Sequence, residues 1–213
     1  MERGRAILFK RLFFRILHEI EQRPICYAFV GFAMLAGIVG GWVLPSCLSE
    51  TEQVSLTNFV QTWLQSTILQ APDLPRFFLQ SLFNHGRWVV LLLLSGLFRL
   101  GSPVAVLCEF CKGIGVGFSI GSFCLTLGFP GLWGSLWIVG LPNLLFIPLY
   151  LLIGARAIAR SSLPDGPART WRARKNYLWK AWPYLAAFLV GIVLECIVVP
   201  YMTKWLGPLL LQG

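Results

Sequence analysis

The sequence predicts an all-α fold, a polytopic membrane helical bundle with about five transmembrane helices and flanking interfacial amphipathic helices. Three observations carry that prediction. Of the 213 residues, 56% are hydrophobic and only 13% are charged, whereas a soluble domain carries about a quarter charged residues. Between the charged clusters lie apolar runs as long as the roughly 20 helical residues that cross a bilayer. The basic residues flank those runs. Arg3, Arg5, Lys10, Arg11, Arg15 and Arg23 precede the first, and Arg156, Arg160, Arg169, Arg172, Arg174, Lys175 and Lys180 precede the last. That is the positive-inside pattern. It accounts for the net charge of +9 without a nucleic-acid partner and makes the lipid bilayer the expected one.

Residues 1–25 read as a cytoplasmic amphipathic helix. Phe9, Leu12, Phe13, Ile16, Leu17 and Ile20 share one face, and Arg11, Arg15, His18 and Gln22 share the other, as in a helix lying on a membrane surface. Span one covers 26–44. Glu2, Glu19 and Glu21 ahead of it separate it from a signal peptide, and Pro45 fits a lipoprotein cleavage site poorly. Residues 45–87 form an external segment. There Leu56, Phe59, Val60, Trp63, Leu64, Thr67 and Ile68 recur on one helical face, and the run Ala71-Pro72-Asp73-Leu74-Pro75 breaks the helix. A second short helix over 76–83 leads back to the membrane.

Residues 88–153 hold spans two to four, divided at Arg99-Leu100-Gly101-Ser102-Pro103 and at Gly128-Phe129-Pro130-Gly131. Span two, over 87–100, is short. Residues 154–181 read as a cytoplasmic basic loop, 182–199 as span five and 200–213 as an external tail. Two basic clusters separated by four spans place the N-terminus inside and the C-terminus outside. Trp42, Trp88, Trp133, Trp179, Trp182 and Trp205 fall near span ends, where aromatic rings prefer to sit.

Small residues repeat where helices must approach closely. Gly113, Gly117 and Gly121 recur every fourth position, Gly37 and Gly41 do so in span one, and Gly191 follows Ala187 in span five. Such stripes let two backbones pack in lipid, within the chain or against a second copy in a homo-oligomer. Four polar residues fall inside spans. Glu109 and Lys112, three apart on one helix face, are expected to pair with each other and to snorkel toward the cytoplasmic side. Glu195 is expected to hydrogen-bond to another helix, and Asn143 follows Pro142, which interrupts span four. The face made by Phe59, Val60, Trp63 and Leu64 is apolar and aromatic, which suits either a partner surface or the lipid headgroups.

Catalytic patterns are missing from the sequence. The histidines are His18 and His85, read as lying outside span cores, and no H-E-x-x-H, G-x-S-x-G or facing pair of intramembrane aspartates occurs. The expectation is a non-enzyme with no cofactor and no metal. Cys108 and Cys111 form a C-x-x-C inside an apolar helix, where two small buried residues one turn apart are the simpler reading than redox chemistry.

Ser81-Leu82-Phe83-Asn84-His85, then Lys112-Gly113-Ile114-Gly115-Val116-Gly117-Phe118, then Leu141-Pro142-Asn143-Leu144 running to Ile147-Pro148, make the middle of the chain resemble the stage II sporulation protein M family of endospore-forming bacteria. The resemblance is carried by the ordered set and is most specific over residues 80–150. It implies a membrane scaffold for engulfment, in which the mother cell wraps the forespore. The implied partners are two extracytoplasmic peptidoglycan hydrolases, the stage II sporulation proteins P and D, held at the septal or engulfing membrane. The alternative is a small membrane transporter or channel subunit that uses Glu109, Lys112, Asn143 or Glu195.

Overall fold

A computed structural model describes residues 21–69, 73–163 and 170–210. The amphipathic helix expected before span one lies almost wholly outside these residues, as does the turn around Asp165. Every regular element among the described residues is helical.

Helix α1 (Pro24–Val43) begins with proline in its first turn, where a missing N–H costs nothing. It leaves through a tight turn, Leu44–Cys47, into α2 (Glu50–Leu69). The start of α2 is fixed by Glu52, whose carboxylate accepts hydrogen bonds from the Ser49 N–H at 3.0 Å and the Ser49 hydroxyl at 2.7 Å. Those two donors hold the exposed Glu52 carboxyl below the usual carboxylate range. Helix α3 (Leu74–Ser95) is capped by Asp73, which accepts from the Arg76 N–H at 3.3 Å.

Helix α4 (Gly101–Ser135) contains one break. Gly128 adopts φ 61°, the only positive φ among the described residues, in a region where a Cβ would clash. The chain reverses there and returns through a wide π turn, Leu136–Gly140, and helix α5 (Leu141–Ser161). The reversal is complete, since the hydroxyls of Ser102 and Ser161 lie 2.5 Å apart. Helix α6 (Trp171–Lys180) follows on the surface, and α7 (Trp182–Leu210) closes the bundle.

Four helical stretches are long and apolar enough to cross a membrane: Pro24–Cys47, Leu74–Ser95, Gly101–Ser161 and Trp171–Leu210. The third, 61 residues long, is the α4–α5 hairpin, so five apolar legs run alternately between two ends. At one end Arg23, Arg156, Arg160 and Lys180 line a common hollow. The other end is covered by α2, which packs on α4 and α7. Large apolar side chains are also exposed along the legs, including Ile25, Phe29, Phe32 and Leu35 of α1 and Val190, Val193 and Ile197 of α7. This coat suits hydrocarbon rather than water.

The tightest packing joins α1 to α4. A Cβ on Gly37 would strike the Phe110 carbonyl, on Gly41 the Ile114 carbonyl, on Gly113 the Met34 carbonyl, on Gly117 the Ile38 carbonyl, and on Gly121 the Trp42 carbonyl. Backbone meets backbone along about three turns, which only glycine permits. Gly191 of α7 faces the side chains of Leu145 and Phe146 instead.

Several boundaries differ from the sequence expectation. Residues 76–83 are not a separate helix, because α3 runs unbroken from Leu74 to Ser95. The polar run Asn84-His85-Gly86-Arg87 does not end it, since His85 finds partners inside the bundle. The expected basic loop is largely helical. Arg156 and Arg160 belong to α5, and α6 begins where Thr170 accepts from the Ala173 N–H at 3.4 Å. Nor does α7 stop at Val199. It continues past Pro200 to Leu210, and within that stretch the Thr203 hydroxyl donates to the Val199 carbonyl at 2.8 Å.

The face expected to meet a partner or lipid is turned mainly inward. Val60 and Leu64 are buried, and Trp63 packs edge-on against Phe123 with ring centroids 6.1 Å apart. Phe59 alone of the four stays exposed. The outward side of α2 is largely polar, with Glu52, Ser55, Asn58, Gln61 and Thr62 all exposed beside the apolar Val54, Phe59 and Leu69. An amphipathic helix gains most by burying its apolar stripe on the bundle end, where Phe123, Ile138, Val199 and Leu210 complete a second core.

Candidate functional site

Within the bundle, four helices bring titratable groups together near mid-height. His85 lies about 16 Å along α3 and Lys112 about 16 Å along α4, at 1.5 Å per residue. Ser81 and His85 stand one turn apart on the buried face of α3. Glu195 reaches them from α7. Its carboxylate lies 3.2 Å from His85 Nε2 and accepts the Ser81 hydroxyl hydrogen bond. Lys112 Nζ lies 3.4 Å from His85 Nδ1. The Tyr150 hydroxyl of α5 sits 3.1 Å from the same nitrogen and donates to the His85 main-chain carbonyl at 3.2 Å.

One hydrogen assignment satisfies the Glu195, Lys112 and main-chain carbonyl contacts, and it leaves the Tyr150 oxygen beside Nδ1 with no hydrogen between them. Nε2–H donates to Glu195, and Nδ1 accepts from the Lys112 ammonium. A neutral imidazole then bridges a cation and an anion, Lys112 to His85 to Glu195, so the buried charges balance. The ring is held flat on Phe146, with centroids 4.0 Å apart and planes 20° apart, and its edge meets Phe188. Lys112 Nζ also lies 5.3 Å from the centre of the Tyr150 ring.

The expected Glu109–Lys112 pair does not form. Glu109 is fully buried against α5, where Gly154 leaves room for its carboxylate. Its two oxygens have no hydrogen-bond partner. Neither side chain snorkels, since Lys112 is only 8% exposed. A helix enclosed by neighbours turns residues three apart toward different helices, so shared sequence face did not become contact. Asn143 follows the π turn. Its amide donates to the Val139 carbonyl at 2.7 Å, while its Oδ1 is buried without a partner.

Lys112, His85, Glu195 and Asn143 line one cavity of about 510 Å³. Arg87, Asn84 and Gln80 of α3 and Ser119 and Ser122 of α4 add polar walls. Leu56, Phe59, Val60 and Trp63 of α2 form its apolar roof. The two serines are satisfied on their own helix, through the Gly115 and Phe118 carbonyls. Chemically the site can hold charge and offer hydrogen bonds at membrane depth. No group of His, Cys, Asp or Glu among the described residues could hold a metal ion, and all six cysteines are free thiols.

In the sequence Ser81 and His85 stand out only as ends of a motif, with His85 read as outside a span core, whereas it is buried within α3; Tyr150 is not singled out. The available signal was the i, i+4 spacing of Ser81 and His85 on one face of a helix, facing a glutamate 110 residues away.

No curated protein and no solved structure matches the chain. The family model of stage II sporulation protein M matches it over residues 28–202. That match takes in most of all five apolar legs, α2 and the whole polar cluster, and the chain therefore belongs to the stage II sporulation protein M family.

Proposed function

We propose that this chain is a membrane scaffold that holds extracytoplasmic peptidoglycan hydrolases, the stage II sporulation proteins P and D, at the septal or engulfing membrane. Family membership supports a sporulation membrane protein. The observation that carries the finer reading is α2. It buries its apolar face on the bundle end opposite the basic cluster and turns Glu52, Ser55, Asn58, Gln61 and Thr62 outward, with Phe59 exposed at the edge of that face, over the cavity mouth. Under the positive-inside rule the basic end is cytoplasmic. Helix α2 and the end of α7 then face the wall. The glycine-packed α1–α4 pair supplies a rigid base for that surface. Affinity purification of the tagged full-length chain from sporulating cells in mild detergent tests the proposal. Both hydrolases should co-purify. Intact, membrane-inserted protein that captures neither refutes it.

A second reading, a small transporter or channel subunit, draws support from the polar groups that meet at mid-height around the cavity. Solute or ion flux into vesicles carrying the purified chain, absent from empty vesicles, would favour it over the scaffold.

A further inference from the structure

The cavity has a lateral mouth. Its exposed lining residues are Phe59 of α2, Gln80, Asn84 and Arg87 of α3, and Gly115 of α4. A Cβ added to Gly115 would meet nothing within 4 Å, so the wall is open there, between α3 and α4 beneath the roof of α2. Lys112 lies at the inner end.

The charges around this space are not evenly satisfied. The Glu195 carboxylate is already engaged by His85 and Ser81. The Lys112 ammonium has three donors and a single hydrogen-bonded neighbour, His85 Nδ1. The guanidinium of Arg87 has five donors, one directed to Asn84 Oδ1 at 3.3 Å, and its plane lies over Trp88. Arg87 is exposed in the middle of an apolar helix, where a cation facing hydrocarbon is costly. Two cations with spare donors thus flank a space whose one carboxylate is spoken for. Asn143 Oδ1 adds a buried acceptor without a partner, suited to a hydroxyl on the same guest.

We propose that this cavity binds an oxyanion, a phosphate or carboxylate group, held between Lys112 at its inner end and Arg87 at its mouth. The group can come from a lipid whose headgroup is drawn in from the interface through the lateral mouth, or from a free oxyanion on the aqueous side. The proposal depends on neither reading of the biological role.

The test uses the full-length chain in mild detergent. Phosphatidylglycerol is one probe, with diacylglycerol as its phosphate-free reference, and inorganic phosphate against chloride at matched ionic strength is the other. Native mass spectrometry reads lipid retention, and thermal unfolding reads the effect of phosphate. Lys112→Met removes the inner cation. Gly115→Phe fills the mouth without touching any charge, and it keeps the test decisive should Lys112→Met fail to fold. If a lipid is the source, phosphatidylglycerol retention exceeds that of diacylglycerol and falls roughly ten-fold in either variant, the loss expected for one charge-assisted contact. If a free oxyanion is the source, inorganic phosphate raises the unfolding temperature of the parent chain and of neither variant. Equal retention and equal phosphate response in the parent chain and Gly115→Phe overturn the proposal. So does finding the mouth occupied by a helix of another protein.

Discussion

Lys112 Nζ lies 3.4 Å from Nδ1 of His85, and this contact redirects the intramembrane charges. The cation belongs to a line that ends on Glu195, not to Glu109 one turn earlier on its own helix.

Double-mutant cycles should separate these two pairings. Lys112→Met removes the cation from the far side of His85 and leaves Glu195 with its His85 and Ser81 hydrogen bonds, so it should cost about 1–3 kcal/mol, the usual loss on removing one partner from a buried polar network. Adding Glu195→Gln should recover more than about 1 kcal/mol of coupling, while Glu109→Gln and Lys112→Met should add within about 0.5 kcal/mol. Equilibrium unfolding in mixed micelles measures this. A large coupling between Glu109 and Lys112 would contradict the arrangement.

The glycine contacts give a paired test. Gly117→Leu drives a side chain into the Ile38 carbonyl and Trp42 N–H and should destabilise the chain by about 3 kcal/mol or more, beyond ordinary core overpacking. Gly115→Leu, two residues away and facing open space, should retain the parent unfolding temperature to within a few degrees. Similar losses in both would mean that α1 does not lie along this face of α4.

Orientation can be read from Cys47, which is exposed in the turn between α1 and α2. A membrane-impermeant maleimide should label it in intact cells, and Cys47→Ser should abolish that labelling. A reporter fused after the last residue should register outside. Labelling of Cys47 only after cell lysis would reverse the assigned sides.

The start of α2 should respond to acid. Ser49 holds the Glu52 carboxyl below its ordinary range, so the charged form is favoured in the folded state. Its contribution is therefore complete above the ordinary carboxylate value and is lost as pH falls through the lowered one. Amide exchange, corrected for its intrinsic pH dependence, should show the first turn of α2 losing protection in that window. Glu52→Gln should remove the dependence. Unchanged protection in the parent chain would show that the cap does not fix this helix end.

The fold class was legible because apolar runs and flanking charge are written directly in the sequence. Spacings were legible too where one helix suffices to define them, as at Gly113, Gly117 and Gly121. What stayed hidden depends on which helix stands opposite. His85 sits in a polar run that reads as a helix edge, and only Glu195 and Lys112, brought from distant helices, show that it lies within one. The three-residue spacing of Glu109 and Lys112 suggested a partner within α4, yet Gly154 on α5 had already made room for Glu109. Periodicity found the apolar face of α2, but a period does not say what covers it. The polar opposite face, Glu52, Ser55, Asn58, Gln61 and Thr62, was the unused clue. Span five was read as ending at Val199, whereas the helix runs on to Leu210.

The claim that matters most is that α2 presents its outward face to a wall hydrolase. Site-specific photo-crosslinking in sporulating cells tests it most directly, with the photoreactive residue placed at Phe59 or Gln61 on that face and at Phe32 on the lipid-facing side of α1 as the control. The account predicts adducts with a peptidoglycan hydrolase from Phe59 and Gln61 and none from Phe32. Adducts from neither α2 position, in cells where the chain is inserted at its normal level, would contradict it.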